Sequence, residues 1–272
     1  VSCSVIANLA ALGVKFIITR SAGTDHIDFN AASKHLIQVK SLPNYSPYAV
    51  AEHTLTLALA LNRHLIEAAN NAKEYNFSLD KLTGFNLHGK TVGIIGLGHI
   101  GIVTGRIFHG FGCRVVAYDI DSSVQDTQIG RVELDELLRI SDIISLHIPL
   151  NEKTRHMINA ERIDQMKTGV MLINTSRGAI VNTPDILTAL DAGKIGYYGA
   201  DVYEFEKRLF FEDHEADDVR DAMLSKLMVH RNVIITPHQA FLTIEALTDI
   251  ARQTIRELDI WEKELTLKAV SA

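Results

Sequence analysis

Three glycines, Gly96, Gly98 and Gly101, punctuate the stretch KTVGIIGLGHIG. A bare G-x-G-x-x-G spacing is weak evidence, and here the context strengthens it. The apolar run TVGIIG reads as a strand, IVTGRIFHGFG as a helix, and RVVAYD as a second strand ending in Asp119. The order suits a dinucleotide. Gly96 permits a tight turn, Gly98 lets the backbone approach a pyrophosphate, and Gly101 allows close helix–strand packing. The helix N-terminus offers N–H groups and partial positive charge to phosphates. Asp119, eighteen residues beyond Gly101, can accept hydrogen bonds from a ribose diol. A carboxylate there repels a 2′-phosphate, which favours NAD over NADP.

Ligands of open α/β sheets bind beyond the carboxyl ends of the strands. Just after the other apolar runs this chain places His147 with Pro149, Ser176 with Arg177, Asp201 with Glu204 and Glu206, and His238. Singly, each has a structural explanation. Arg177 before Gly178 could cap a turn, Glu206 lies in a charged loop, and His238 follows Pro237 in a loop of its own. Together, at one edge of a dinucleotide sheet, they point to chemistry. A nicotinamide carries a hydride. A carbonyl that receives it needs a proton, and histidine, with an ordinary pKa of about 6.5, is the natural donor. A nearby carboxylate fixes the tautomer of that histidine and favours its charged form. An arginine grips a substrate carboxylate through a planar pair of donors, which lysine cannot match. Arg, Glu and His together suggest reversible reduction of a 2-oxo acid.

The elements that must hold these residues follow from the apolar pattern. Strand candidates are 14–20, 91–96, 114–119, 142–148, 170–176, 197–203 and 232–238, short and nearly unbroken in apolar character. Such runs suit strands buried on both faces. Helical patterns fall between them at 100–111, 133–140, 159–167 and 183–192. The alternation predicts an α/β fold, a doubly wound parallel sheet with helices on both sides. A long helix over 46–75 precedes the array, with Ser46 as N-cap and Pro47 at its first position. It is apolar on more than one face, so it must bury both, between domains or against another subunit.

Composition narrows the classes. The chain has 272 residues, 47% hydrophobic, with a formal charge of -6, enough for one large or two ordinary domains. No basic run offers itself to nucleic acid. Cys3 and Cys113 are lone cysteines, which argues against a disulfide framework or zinc cluster and for a reducing, cytoplasmic setting. The twelve histidines are scattered, without the paired spacing of a metal site. The most apolar run, Leu55 to Asn62, is far short of the roughly 20 residues a bilayer needs. No signal peptide is visible. The opening VSCSVIANLAALG lacks an initiator Met and reads as a helix entered midway, as if residues were missing in front.

GLGHIG, LHIPL, NTSRGAIV, GADVYEFE and ITPHQAF, in this order and spacing, resemble the D-isomer-specific 2-hydroxyacid dehydrogenases over essentially the whole chain. The pieces YNFSLDKLTGFNLHGKT, DVYEFEKRLFFED and HQAFLT are most similar to the fermentative D-lactate dehydrogenase subgroup, as is the extended acidic, aromatic loop after Glu206. The resemblance implies hydride transfer between NADH and a small 2-oxo acid, pyruvate giving D-lactate. Other readings are a relative with a bulkier 2-oxo acid, or a NAD-sensing binding protein of the same fold.

On this resemblance Arg177 binds the substrate carboxylate, His238 donates and accepts the proton, and Glu206 pairs with His238, with Glu204 a neighbour. Asp201 meets the nicotinamide end, and His99 and Ile100 offer backbone contacts to the pyrophosphate. His147, Ile148, Pro149, Thr154, Thr175 and Ser176 line the cofactor cleft. The Ala22–Gly23 backbone and Tyr45 hold the substrate carboxylate, and Phe241 narrows the pocket around a methyl group. The resemblance further implies a Rossmann NAD-binding domain over 46–241, inserted in a smaller flavodoxin-like substrate domain made of 1–45 and 242–272. That smaller domain lacks the first strands and helix of the family pattern. A homodimer through the NAD-binding domains is the implied assembly.

Overall fold

The computed structural model describes every residue except 22, 25, 43–45, 208, 217–218 and 271–272, and omits the side chains of 266–270. In chain order the first elements are α1 (Cys3–Ala11), β1 (Phe16–Thr19), α2 (Phe29–Lys34), β2 (Gln38–Ser41), α3 (Pro47–Asn62), α4 (Leu65–Lys73), β3 (Thr91–Ile95), α5 (His99–Gly110) and β4 (Arg114–Tyr118). Then come β5 (Gly130–Arg131), α6 (Leu134–Ile140), β6 (Ile143–Leu146), α7 (Ala160–Gln165), β7 (Val170–Asn174), α8 (Thr183–Asp191), β8 (Ile195–Ala200), α9 (Ala222–Val229), β9 (Val233–Ile235) and α10 (Ile244–Val270). They fall into two compact units, one of Val1–Ser46 with Phe241–Ala272, the other Pro47–Ala240.

The larger unit is built on seven parallel strands in the order β5-β4-β3-β6-β7-β8-β9. The chain runs outward from β3 through β4 to β5, then returns to the other side of β3 with β6. The switch point between β3 and β6 is where a sheet of this kind opens a crevice. Side chains alternate across the sheet with period two. Val92 and Ile94 of β3, Ile143 of β6, and Met171 and Ile173 of β7 join one core with Leu57, Leu61 and Phe108 from α3 and α5. Ile95, Ile144, Leu146, Val170 and Leu172 face the other core, with Leu137 and Leu138 from α6, Ile163 from α7 and Ile186 from α8. Each fully buried aliphatic chain contributes about 1.5–3 kcal/mol, so the strands are held from both faces and their carboxyl ends are fixed platforms.

The long helix expected over 46–75 is two helices. α3 starts at Pro47 and ends at Asn62, and α4 follows after His64, which takes the left-handed conformation at φ 48°. That conformation terminates a helix. Gly84 and Phe85 cross the end of α3: the Phe85 N–H donates to Asn62 Oδ1 at 2.7 Å, and a Cβ on Gly84 would sit 2.2 Å from the Asn62 carbonyl oxygen.

In the smaller unit, β1 and β2 pair in parallel from Phe16↔Gln38 to Thr19↔Ser41. Ile6, Ala31, Ala32 and Ile37 form its core, and the rings of Phe16 and Trp261 stack at 4.9 Å. Among the described residues no helix is long and apolar enough to cross a membrane.

Candidate active site

The first strand-to-helix turn is shaped by its glycines. Gly96 has φ 100°, and a Cβ on it would lie 2.4 Å from the His147 carbonyl oxygen. A Cβ on Gly101 would lie 1.9 Å from the carbonyl oxygen of Gly96, so α5 can start against the turn only because that atom is missing. Gly98 occupies the N-cap of α5 and has no side chain to cap it; the place of its Cβ has nothing within 4 Å. His99 and Ile100 open the helix there. At the end of β4, Asp119 Oδ2 accepts from the Leu97 N–H at 2.6 Å and Oδ1 from the Asp121 N–H at 2.8 Å. The carboxylate thus ties the turn after β4 to the glycine turn and retains lone pairs for a diol. An uncapped helix start, an open cradle and an adjoining carboxylate fit the pyrophosphate and ribose of a dinucleotide.

His147 follows β6, its Nε2 2.8 Å from Ser145 Oγ. Desolvation pushes its pKa from the ordinary histidine value down to about 3. The ring is therefore neutral beside the cofactor turn. Unfolded chains take up this proton below about pH 6.5, whereas the folded protein does not, so acid favours unfolding. As pH falls from about 6.5 toward 3, this one group removes about 1.4 kcal/mol of stability per pH unit. Urea unfolding of the protein and of His147→Gln between pH 7 and 4.5 is expected to show the variant losing stability less steeply, by about one proton's worth. Equal slopes would contradict a neutral ring. Next to it, Thr154 Oγ1 donates to the Pro149 carbonyl at 2.6 Å and accepts from the Asn151 N–H at 2.8 Å, which pins the turn after Ile148.

The turn after β7 carries Arg177. Asn174, fully buried, organises it: its Oδ1 accepts from the Ser176 N–H and hydroxyl at 3.1 and 2.9 Å, and its Nδ2 donates to the Arg177 carbonyl at 3.0 Å. Thr175 Oγ1 lies 2.9 Å from Thr54 Oγ1 of α3. Arg177 Nη1 donates to the Ser176 carbonyl at 2.8 Å. A Cβ on Gly178 would lie 2.0 Å from the Tyr203 carbonyl carbon. The missing side chain lets the Arg177 turn rest directly on the Tyr203–Glu204 backbone.

Two residues farther on, Glu206 Oε1 lies 3.1 Å from His238 Nδ1, while its Oε2 accepts from the Tyr203 N–H at 3.1 Å. A carboxylate only accepts, so Nδ1 carries the proton and Nε2 is the nitrogen left to give or take one. The Phe211 ring leans on the imidazole with centroids 5.6 Å apart. Glu204 serves elsewhere: its Oε1 is 2.5 Å from His156 Nε2, and its Oε2 accepts from the Thr183 N–H at the start of α8. Asp201, fully buried, holds the turn that bears His238. Its Oδ1 accepts from the Thr236 hydroxyl at 2.6 Å and the Gln239 N–H at 2.9 Å, and its Oδ2 from the Ala240 N–H at 2.7 Å. Burial works to raise its pKa, but the bonds from His53, Thr236, Ala240 and Gln239 outweigh it and hold the carboxyl below its ordinary value. Between these anchors His238 sits at φ 56°.

The carboxyl edge of one sheet therefore gathers the glycine turn, Asp119, His147 to Pro149, Thr175 to Arg177, Asp201, Glu206 and His238. Gly23 and Phe241 belong to the smaller unit: the Gly23 carbonyl accepts from Ser21 Oγ at 2.7 Å, and the Phe241 carbonyl from the Thr243 N–H at 2.9 Å. Ala22 and Tyr45 lie outside the described residues. Sequence reasoning missed Asn174 and Thr236, although each is a polar residue closing an apolar run. It also missed His53, a lone histidine on an apolar helix, for which no local signal exists.

The family model described as "D-isomer specific 2-hydroxyacid dehydrogenase, NAD binding domain" matches residues 55–240. A 2-hydroxyacid dehydrogenase homolog of Haemophilus influenzae is 46% identical over 259 residues, covering 94% of this chain and 78% of that protein. The D-lactate dehydrogenase of Escherichia coli is 44% identical over 261 residues, covering 95% and 79%. Among solved structures, the pyruvate reductase of Chlamydomonas reinhardtii superposes with a TM-score of 0.87 at 46% identity, over 93% of this chain and 78% of that one. An Aquifex aeolicus D-lactate dehydrogenase complexed with NAD and lactic acid gives 0.83 at 38% identity, over 92% and 77%.

Proposed function

This chain belongs to the D-isomer specific 2-hydroxyacid dehydrogenases, and from that premise we propose that it reduces pyruvate to D-lactate and runs the reverse oxidation. Its cofactor is NAD, which when bound supplies or takes up the hydride. The observation that carries the reading is the 3.1 Å contact of Glu206 with His238 at the same sheet edge as the Arg177 turn. Arg177 offers a planar pair of donors to the substrate carboxylate and so orients the neighbouring carbonyl. His238 Nε2 gives its proton to the carbonyl oxygen during reduction and recovers it during oxidation. Glu206 accepts from Nδ1–H and so fixes the ring with Nε2 as the nitrogen that transfers the proton. Asp119 takes the ribose diol, and the N–H groups at His99 and Ile100 take the pyrophosphate. The names of the similar proteins, pyruvate reductase and D-lactate dehydrogenase, support the small substrate.

We assign Pro47–Ala240 to the cofactor and the remaining unit to a substrate domain. We also assign the chain to a homodimer in the cytoplasm. Exposed Leu65 and Ile66 on α4, with Tyr75, Phe77 and Leu79 after it, support a subunit contact on the NAD-binding unit. Cys3 and Cys113 as free thiols are in keeping with a reducing compartment.

Following NADH and NADPH oxidation with pyruvate, 2-oxoisocaproate and phenylpyruvate tests the reading. The highest kcat/KM is expected for pyruvate with NADH, with the D enantiomer as product. A strong preference for a larger acid would overturn the substrate, and cofactor binding without turnover of any 2-oxo acid would overturn the enzyme.

A further inference from the structure

We propose that His53 is a positioning residue for the proton-transferring imidazole: from α3 it holds, through Thr236 and Asp201, the turn on which His238 sits. The inference rests on the dehydrogenase reading above and adds to it a residue beyond the strand-end loops.

His53 lies between buried Ala51 and Thr54 on α3. A polar ring in that position is costly unless its nitrogens are paired. Its Nε2 is 3.0 Å from Thr236 Oγ1 and 3.4 Å from Asp201 Oδ1. The proton directions follow from the chemistry. The Asp201 carboxylate accepts only, so the single hydroxyl proton of Thr236 goes to Asp201 Oδ1 at 2.6 Å. Thr236 Oγ1 must then accept from His53, whose Nε2 carries a proton. Removing that N–H leaves the Thr236 oxygen without its donor and frees the hydroxyl to turn away from Asp201.

Asp201 grips the turn on both sides of His238, by the Thr236 hydroxyl before it and the Gln239 and Ala240 N–H groups after it. The Thr236 N–H also donates to the Ala200 carbonyl, and the His238 N–H to the Thr236 carbonyl, both at 2.9 Å. His238 is thus fixed in its φ 56° conformation by bonds that converge on one buried carboxylate. Among the described residues, His53 is the one side chain within ion-pair distance of Asp201 that can carry positive charge. The next residue of the same helix, Thr54, bonds Thr175, two residues before Arg177. One turn of α3 therefore sets the loop of the carboxylate-binding arginine and the loop of the proton donor in a common frame. A small misplacement of either costs as much as a hundredfold in rate.

The test compares His53→Leu with His53→Gln, whose amide nitrogen reaches the place of Nε2. We expect kcat for pyruvate reduction to fall about tenfold or more in His53→Leu with KM for NADH unchanged within about twofold, and to recover most of that loss in His53→Gln. In the cofactor-free protein, the Gln239 and Ala240 amides are expected to exchange hydrogen at least about tenfold faster in His53→Leu than in the wild type. A second pair, Thr236→Val impaired and Thr236→Ser near normal, keeps the test open should His53→Leu fold poorly. Unchanged kcat per folded molecule in His53→Leu, equal impairment of Leu and Gln variants, or unaltered exchange at Gln239 and Ala240 would each overturn the proposal. Failure of the dehydrogenase reading shows separately, as absent turnover of every 2-oxo acid by the unmutated protein, and would remove this proposal with it.

Discussion

Replacing His238 by Asn is expected to lower kcat for pyruvate reduction and for lactate oxidation alike by about a thousandfold, within the range general acid–base catalysis contributes. Asn is the informative substitution. His238 occupies the left-handed region, which Asn tolerates better than other non-glycine residues. The anchors on Asp201 come from Thr236, Gln239 and Ala240 and survive the change. NADH binding, read by fluorescence titration, should therefore stay within about twofold, since the variant loses proton transfer and keeps the fold. The pH profiles of the unmutated enzyme should run in opposite directions. Reduction consumes a protonated imidazole and weakens as pH rises, whereas oxidation needs the neutral ring and weakens as pH falls. Both limbs should vanish in the variant. A loss of less than about tenfold, or parallel limbs for the two directions, would be incompatible with His238 as the proton shuttle.

Arg177→Lys should lower kcat/KM for pyruvate by about a hundredfold with little change in KM for NADH, although the charge is kept. A hydrogen bond to a charged group is worth about 1.5–3 kcal/mol, and lysine cannot reproduce the planar pair. The turn itself should survive. Its shape depends mainly on Asn174 bonded to Ser176 and to the Arg177 carbonyl, and on the close approach of Gly178 to Tyr203, which do not use the guanidinium; the change removes the Nη1 bond to the Ser176 carbonyl and leaves those in place. Near-normal kcat/KM in the variant would take Arg177 out of substrate binding.

Much of the fold could be read from the chain because the inner strands of the large sheet, β3, β4, β6 and β7, send apolar side chains to both faces. Val170 to Ile173 is such a run, and its alternate residues supply two different cores. The glycine turn was legible for a similar reason: backbone contacts as close as Gly101 to the Gly96 carbonyl exclude other residues. Strand-end polar residues could be named as one group because parallel strands bring their carboxyl ends to one edge. What escaped is long-range. The break at His64 depends on Gly84 and Phe85 crossing the end of α3, and no helical periodicity reports that crossing. β5, two residues long at the sheet edge, has no pattern to detect. His53 meets Asp201 and Thr236 across more than 140 positions of sequence. Asp201 was assigned to the nicotinamide end by resemblance alone, while its bonds to the His238 turn exist only in the folded sheet.

Asp201 holds Gln239 and Ala240 solely by their main-chain N–H groups. Such a grip is blind to the identity of the side chains it fixes. At exposed Gln239, selection or a mutagenic library is therefore free to explore new residues beside the imidazole without dislodging it, whereas buried Ala240 must stay small, so the molecule separates the part that must stay still from the part that can be tailored.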